Sequence, residues 1–199
     1  MLFQTLDDKN ECVGIYAQNK LHINSAIPDN LSQTWSYSGF LRGREIDYAQ
    51  LYVEGKTLDE VCPEHLKAEW NVINKKLKSI VSSFIQAKVS LKENCFFDLT
   101  PQRFLIEYCE LRNRITEHVL NSNTRPPEYP FFKRFAELVH DIKHSELNIN
   151  LDNIQNKLAK ESAMAFYKKI ANGNNHISYN MFGSITGRLT VHKIGRAHV

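Results

Sequence analysis

Short apolar runs alternate with clusters of Asp, Asn, Lys and Gln over residues 1–60. Runs of this kind, rich in Leu, Ile, Val and Tyr and bounded by turn-forming residues, predict β-strands. Because only short polar turns separate the first three runs, these predict an antiparallel meander. The predicted strands are residues 1–6, 11–17, 21–23, 34–37 and 48–53, with a turn of helix as the alternative for the last.

Beyond Pro63 the apolar positions recur at every third or fourth residue, which is the repeat of amphipathic helices. In the second of these helices Thr100 is the expected N-cap and Pro101 the expected first residue. The predicted helices are residues 66–85, 101–119, 131–144 and 151–171.

Each of the four helices carries an apolar stripe that we expect to face the core. In the first it comprises Leu66, Trp70, Ile73, Leu77, Ile80, Val81, Phe84 and Ile85. In the third it comprises Phe131, Phe135, Leu138, Val139 and Ile142. Together the elements predict an α+β protein, with a small β-rich N-terminal part at residues 1–62 and a mainly helical domain at residues 63–175. A further strand is predicted at residues 176–180.

Composition fits an ordinary globular protein, with 199 residues, 42% hydrophobic and 24% charged. No apolar run approaches the roughly 18 residues that a membrane span needs. The N-terminal MLFQTLDDKNE lacks the basic and apolar regions of a signal peptide. We therefore expect an intracellular, cytoplasmic protein with no membrane partner.

The net charge of +3 is unevenly distributed along the chain. Residues 151–193 carry six basic and two acidic side chains, whereas residues 1–62 carry five and nine. The positive segment is compatible with a polyanion nearby, and a solvated face is the alternative. The four cysteines form no CxxC pair and match no zinc spacing, so we expect free, partly buried thiols.

Two clusters of candidate metal ligands have simpler structural explanations. His140 and His144 lie four apart on a predicted helix, but no third ligand shares their face. Asp7, Asp8 and Glu11 could hold Mg²⁺ in a nuclease, yet they lie in turn sequence, where Asp is favoured for backbone reasons. The chain has no Walker A loop and no GxSxG elbow. No metal site and no catalytic residue is therefore predicted.

A Gly-rich turn, FGSITGRLT, occupies residues 182–190. Its two glycines permit backbone conformations and close approaches that other residues do not. Ser184, Thr186 and Thr190 offer hydroxyls to phosphate oxygens, and Arg188 offers a planar, permanently charged fork to a phosphate or a base edge. On these residues alone, a surface turn is the alternative.

With its flanks, the segment YNMFGSITGRLT resembles the Thr-Gly-Arg-Leu-(Ser/Thr) segment of family A (DNA polymerase I-like) DNA polymerases, in particular divergent phage-type members. In that family the segment links the helical thumb to the palm and contacts the primer–template duplex. The stretches LFQTLDDKNECVGIY, GKTLDEVCPEHL, CFFDLTPQRFLIEYCELRNRITEHV and LNINLDNIQ also resemble the N-terminal region of these enzymes. The resemblance covers nearly the whole chain, and its helical region would be thumb-like.

The resemblance implies DNA-contacting roles for five residues. Arg188 would reach the minor groove at the primer terminus, where purine N3 and pyrimidine O2 accept hydrogen bonds in every correct pair. Thr186 and Gly187 would shape the turn. Ser184 and Thr190 would contact backbone phosphate. Such contacts check the geometry of a base pair without reading its sequence.

The resemblance further implies that the full-length protein is a DNA-directed DNA polymerase in DNA replication. It would perform template-directed nucleotidyl transfer from deoxynucleoside triphosphates with two Mg²⁺ ions, in a bacterial or phage-infected cell. Residues 176–193 would begin the palm, whose metal-binding aspartates lie downstream in that family. We therefore expect the fragment, truncated before the palm motifs, to be inactive alone. The first strand reads FQTL where a proofreading exonuclease needs Asp-x-Glu, so residues 1–62 are at most a degenerate exonuclease-like part.

Residues 194–199, IGRAHV, do not continue the family pattern. They can be encoded by ATC GGA AGA GCA CAC GTC, which resembles a common sequencing-library adapter, so we expect an artefact after about Lys193. Two alternatives to the polymerase stay open. These are a non-catalytic nucleic-acid-binding replication accessory module and a helical protein-interaction module. An Asp-containing palm strand encoded soon after residue 193 favours the polymerase, and a natural stop favours the others.

Overall fold

The computed structural model of the chain describes residues 1–8, 11–23, 25–91, 93–145, 164, 167–168, 177–184 and 189–192. These residues combine helices with small two- and three-stranded sheets, which confirms the predicted α+β class. The chain divides into two compact units, Met1–Glu137 and Leu138–His198. The first unit thus includes both the predicted β-rich part and the first predicted helices.

The N-terminal sheet is the predicted antiparallel meander. Its strands β1 (Phe3–Asp8), β2 (Glu11–Ala17) and β3 (Lys20–Ile23) lie in the order β1-β2-β3. The two residues between β2 and β3, Gln18 and Asn19, have φ angles of 52° and 59°. A type I′ hairpin turn requires this left-handed conformation at both positions, and it matches the twist of the flanking strands.

A parallel pair of two-residue strands follows, β4 (Gln33–Thr34) and β5 (Asp47–Tyr48). β5 continues directly into the helical turn α1 (Ala49–Tyr52). The predicted strand at 48–53 is therefore wrong beyond Tyr48, and the helical alternative is correct from Ala49. A short apolar run does not reveal its own period, so the sequence could not separate the two.

The remaining described helices are α2 (Leu58–Val61), α3 (Glu64–Gln86), α4 (Phe96–Leu99), α5 (Gln102–Ser122) and α6 (Tyr129–His144). The three long ones, α3, α5 and α6, confirm the sequence predictions. The short α2 was not predicted, although its start carries a capping box in which the Thr57 N–H donates to Glu60 Oε2 at 2.7 Å.

The fourth predicted helix, residues 151–171, lies outside the described residues except at three positions. These three, Met164, Tyr167 and Lys168, are helical.

The junction between α4 and α5 differs from the prediction. Pro101, not Thr100, is the N-cap of α5, and the helix begins at Gln102. The Thr100 hydroxyl donates instead to the carbonyl oxygen of Phe96 at 2.8 Å, which closes α4. Asp8 of β1 accepts a hydrogen bond from the Phe96 N–H at 3.1 Å and so holds the other end of α4. A hydrogen bond from the distant strand β1 thus helps α4 to form. The hydroxyl of Thr100, which was expected to cap α5, bonds to α4 instead.

α5 is the central element of the first unit because it joins three groups of buried side chains. Ile115 belongs to the group shared with α3. Cys109 packs with Leu6 of the meander, and Val119 packs with Trp35. All five side chains are at most 5% exposed.

Polar contacts also tie the meander to α5. Gln4 in β1 is fully buried, and its Nε2 donates to Asn113 Oδ1 at 3.0 Å and to Thr116 Oγ1 at 3.1 Å. Thr116 in turn donates to the carbonyl oxygen of Arg112 at 2.7 Å. The meander and the helices that follow residue 62 therefore share one core.

The predicted apolar stripe of α5 is largely buried, whereas those of α3 and α6 are only partly buried. In α3 the buried residues are Leu66, Trp70 and Ile73, whereas Ile85 is 58% exposed. In α6 the predicted core residues Phe131 and Leu138 are 62% and 52% exposed. Both helices are amphipathic as predicted, but the described core covers only part of each apolar face.

Candidate nucleic-acid interface

The two described ends of the segment that resembles the polymerases lie in an antiparallel pair of strands in the second unit. Its strands are β6 (Ser178–Asn180) and β7 (Thr190–His192), and their register places Asn180 opposite Thr190. β6 lies within the strand predicted at 176–180, and both strands contain β-branched or aromatic residues. The hairpin therefore holds the two ends of residues 181–189 next to each other.

The structure describes two of the five residues with predicted DNA contacts. Ser184 and Thr190 lie on the two sides of the loop, and both are half-buried. Thr186, Gly187 and Arg188 lie outside the described residues. The structure thus brings the flanks of the predicted site together, and the roles of all five residues stay predictions.

The side chain of Asn180 starts the loop. Its Oδ1 accepts a hydrogen bond from the backbone N–H of Phe182 at 3.0 Å. An Asn that bonds the backbone two residues on forms an Asx turn, which bends the chain at the end of a strand. In the sequence, the signal for this turn was an Asn at the end of the strand-like residues 176–180.

Gly183 brings the two sides of the loop into contact. A Cβ atom at Gly183 would lie 1.7 Å from Thr190 Oγ1 and 2.8 Å from Thr190 Cβ. No side chain fits at that distance, so this position requires glycine unless Thr190 moves. In the sequence, four residues separate Ser184 from Leu189, and they include the Thr-Gly-Arg of the motif.

The chemistry of the hairpin suits a sugar–phosphate backbone. Ser184 and Thr190 carry neutral hydroxyls that can donate to phosphate oxygens. Leu189 and Val191 are 41% and 49% exposed and add apolar surface beside them. In the sequence Arg188 precedes Leu189 directly. Hydroxyl and guanidinium groups in general bind phosphate oxygens without reading a base sequence.

The acidic residues predicted to lie in a turn belong to strands instead, because Asp7 and Asp8 end β1 and Glu11 begins β2. Asp7 accepts hydrogen bonds from the hydroxyls of Thr5 and Ser38, both at 2.9 Å. Asp8 holds the N-terminus of α4 through the Phe96 N–H. Both carboxylates therefore bind neighbouring parts of the protein.

The histidine pair on α6 shares one helix face, as its spacing predicted. The ring centroids of His140 and His144 lie 4.3 Å apart. Within the described ranges, no group of three His, Cys, Asp or Glu side chains could hold a metal ion.

The cysteines are free thiols, as expected. Burial raises the pKa of Cys12 to about 12, and the nearby Asp7 carboxylate adds to the rise. Burial likewise raises the pKa of Cys109 to about 11. Because the thiolate is the reactive form, these two side chains act as packing groups at neutral pH.

Sequence reasoning missed a basic groove between α3 and α5, with a volume of about 450 Å³. Lys76 and Arg103 both lie against Glu107, at 3.2 and 3.4 Å. The hydrogen bond from Lys76 lowers the pKa of Glu107 below its ordinary value. Two cations thus share one carboxylate. The only signal for this groove was the Lys-Lys-Leu-Lys run at residues 75–78.

Among the described residues, no helix combines the length and the apolar character that crossing a membrane requires. Comparison with known proteins assigns no family, because no protein-family model, no curated protein and no solved structure gives a significant match.

Proposed function

We propose that this chain is the N-terminal part of a family A DNA-directed DNA polymerase of the divergent phage type, and that its β6–β7 hairpin contacts primer–template DNA. The observation that carries the proposal is the pairing of Asn180 with Thr190, two residues that flank the Thr-Gly-Arg of the motif in the sequence. A side chain that enters a groove of DNA is positioned more precisely when its loop is held at both ends.

The close approach of Gly183 to Thr190 supports a positioning role for this loop. In the proposal, Ser184 and Thr190 bind backbone phosphates on either side of the loop. Arg188 then donates to purine N3 or pyrimidine O2 in the minor groove at the primer terminus. These acceptors occur in every correct base pair, so the contact suits an enzyme that copies any sequence.

The full-length enzyme would transfer nucleotides from deoxynucleoside triphosphates in DNA replication. Its Mg²⁺ ions would stabilise the charge that develops on the phosphates during transfer. The described residues contain no three-ligand cluster that fits these ions. This chain therefore contributes DNA binding in the proposal, and we assign it no catalytic step.

Binding of the 199-residue chain to a fluorescent primer–template duplex tests the DNA contact. At about 50 mM salt, where phosphate contacts are strong, loss of this base contact in Arg188→Ala is expected to weaken binding about tenfold. Arg44→Ala is the matched control, because it removes the same charge from a side chain that lies over Phe40 in the first unit. Equal affinities for the two variants would contradict the proposed contact.

A modified primer separates a minor-groove contact from general attraction between charges. A terminal 3-deazaadenine lacks the N3 acceptor, so it should weaken binding by the wild-type chain and leave binding by Arg188→Ala unchanged. If the modified primer weakens binding by both proteins to the same extent, Arg188 does not bond that atom.

The uninterrupted gene tests the polymerase assignment separately from DNA binding. We expect an Asp-containing palm strand to be encoded soon after residue 193. A natural stop codon there, together with DNA binding that depends on Arg188, would leave an accessory DNA-binding module and reject the polymerase.

A further inference from the structure

The C-terminal half of α3 carries an open groove that the proposed DNA contact does not use. We propose that this surface, the α3 groove, binds an acidic amphipathic helix of a partner protein. The groove has a volume of about 510 Å³. It is lined by Leu77, Lys78, Val81, Ser82, Ile85 and Phe96.

The floor of the α3 groove is a straight apolar row. Leu77, Val81 and Ile85 follow one another at intervals of four residues, so they lie along one side of α3 over about 12 Å. Exposure increases along the row from the half-buried Leu77 to Ile85, which is 58% exposed. An exposed row of this kind is the surface into which the apolar ridge of another helix packs.

The wall of the groove is held in place before any partner binds. Phe96 belongs to α4, and Asp8 accepts a hydrogen bond from its backbone N–H at 3.1 Å. The Phe96 ring also contacts Phe84 of α3, with the ring centroids 6.0 Å apart. Because both sides are anchored to the first unit, binding requires little ordering of the groove.

The charge beside the groove indicates the chemistry of the partner. No Asp or Glu occurs between Glu69 and Glu93 in the sequence. Lys78 lines the groove, and Lys75 lies one helical turn before it. Within the part of the chain that the structure describes, Lys75 and Lys78 form no ion pair, whereas Lys76 is paired with Glu107. Unpaired lysines beside an apolar floor complement Glu or Asp beside an apolar stripe.

Two other anionic surfaces fit this geometry less well. A DNA backbone would meet the lysines but would leave the apolar row without a matching surface. An anionic lipid surface is flat, whereas Leu77 and Val81 are half-buried beside the wall formed by Phe96. A helix with an apolar ridge and acidic flanks contacts both the row and the lysines.

Two synthetic helical peptides test the proposal. Both carry Leu at every third or fourth position, and their flanks carry Glu in one and Lys in the other. Fluorescence anisotropy with the 199-residue chain should give micromolar binding of the Glu peptide and at least tenfold weaker binding of the Lys peptide. Equal binding of the two peptides would overturn the charge complementarity on which the proposal rests.

Substitutions locate the binding surface. Val81→Ser combined with Ile85→Ser should weaken binding of the Glu peptide at least tenfold. Val72→Ser is the matched control, because Val72 is an equally exposed residue of α3, at 55%, that does not line the groove. Lys78→Glu should weaken the Glu peptide and strengthen the Lys peptide. An unchanged preference in Lys78→Glu, or equal losses in the control, would contradict the proposed site.

Duplex DNA and phosphatidylglycerol vesicles serve as competing probes. If the Val81→Ser, Ile85→Ser variant loses affinity for either of these and keeps its affinity for the Glu peptide, the partner is not a helix. Arg188→Ala should not change peptide binding, which separates this inference from the proposed DNA contact.

Discussion

Tyr129 shows what a single buried polar atom does in the first unit. This residue is 0% exposed, and its Oη accepts the backbone N–H of Tyr48 at 2.7 Å. The guanidinium of Arg125 lies 4.3 Å from the centre of its ring and also pairs with Asp47 at 3.4 Å. Tyr129 therefore connects the start of α6 to the end of β5, where α1 begins.

We predict that Tyr129→Phe destabilises the protein. The substitution keeps the ring but leaves the buried Tyr48 N–H without an acceptor, which costs about 1–3 kcal/mol of unfolding free energy. Urea denaturation measures the loss. Tyr52→Phe is the control, because the half-buried Tyr52 hydroxyl donates to Asp47 at 3.4 Å, and its removal should cost less than about 0.5 kcal/mol. Equal losses would contradict the assigned role.

A second prediction at this scale concerns alkaline pH. Burial raises the pKa of Cys109 from 9.0 to about 11 in the folded protein. Between these values the unfolded chain has lost the proton and the folded chain has kept it. The unfolded state then binds fewer protons, so the unfolding free energy falls as pH rises above about 9.

Cys109→Ala should therefore reduce the loss of unfolding free energy between pH 8 and pH 10 by about 1 kcal/mol. Denaturation curves at the two pH values measure this change for each protein. The lower stability of the variant at pH 8 does not affect the comparison, because only the change with pH is used. Parallel pH profiles for the two proteins would show that Cys109 keeps an ordinary pKa.

Among the elements, α4 depends most clearly on the rest of the fold. A helix of four residues is too short to be stable alone, because it gains few hydrogen bonds for the backbone freedom that it loses. Asp8 binds the Phe96 N–H at its start, and the Thr100 hydroxyl binds the Phe96 carbonyl oxygen at its end. The position of α4 therefore depends on the Asp8 carboxylate at the end of β1.

We predict that Asp8→Ala destabilises α4. Loss of the acceptor should lower the unfolding free energy by about 0.5–2 kcal/mol and speed hydrogen exchange at the Phe96 amide. Asp8→Asn keeps an acceptor oxygen and is expected to have a smaller effect on both measurements. If the Phe96 amide exchanges no faster in Asp8→Ala than in the wild-type protein, the carboxylate does not hold this helix.

At the scale of the whole molecule, the described core belongs to the first unit. Every buried hydrophobic side chain among the described residues lies between Phe3 and Tyr129. The first unit, Met1–Glu137, contains all of them. The side chains that hold this unit together are therefore all present before the end of α6.

We predict that a fragment of residues 1–145 folds by itself. It retains the core and the whole of α6, so it should unfold cooperatively and keep the near-ultraviolet circular dichroism of Trp35 and Trp70, each 5% exposed. A fragment of residues 1–122 lacks Tyr129 and should unfold at a lower urea concentration. An unfolded 1–145 fragment would show that the first unit needs residues beyond 145.

The fold was more predictable from the sequence than the candidate site was. Strand and helix periods identified the meander and the three long helices, because these signals depend on neighbouring residues. The chemistry of the motif indicated Ser184 and Thr190 as candidate phosphate-binding residues. It did not indicate that the backbone of Gly183 lies against Thr190, because that contact depends on the register between β6 and β7.

The sequence by itself determined the α+β class, the meander and the amphipathic character of α3 and α6. Tertiary structure alone decided which half of the α3 stripe is buried and which acceptor the Thr100 hydroxyl finds. The physical reason is the separation along the chain between the residues that determine each feature. Periodicity is set within a few residues, whereas burial and hydrogen-bond partners depend on pairs such as Asp8 and Phe96, 88 positions apart.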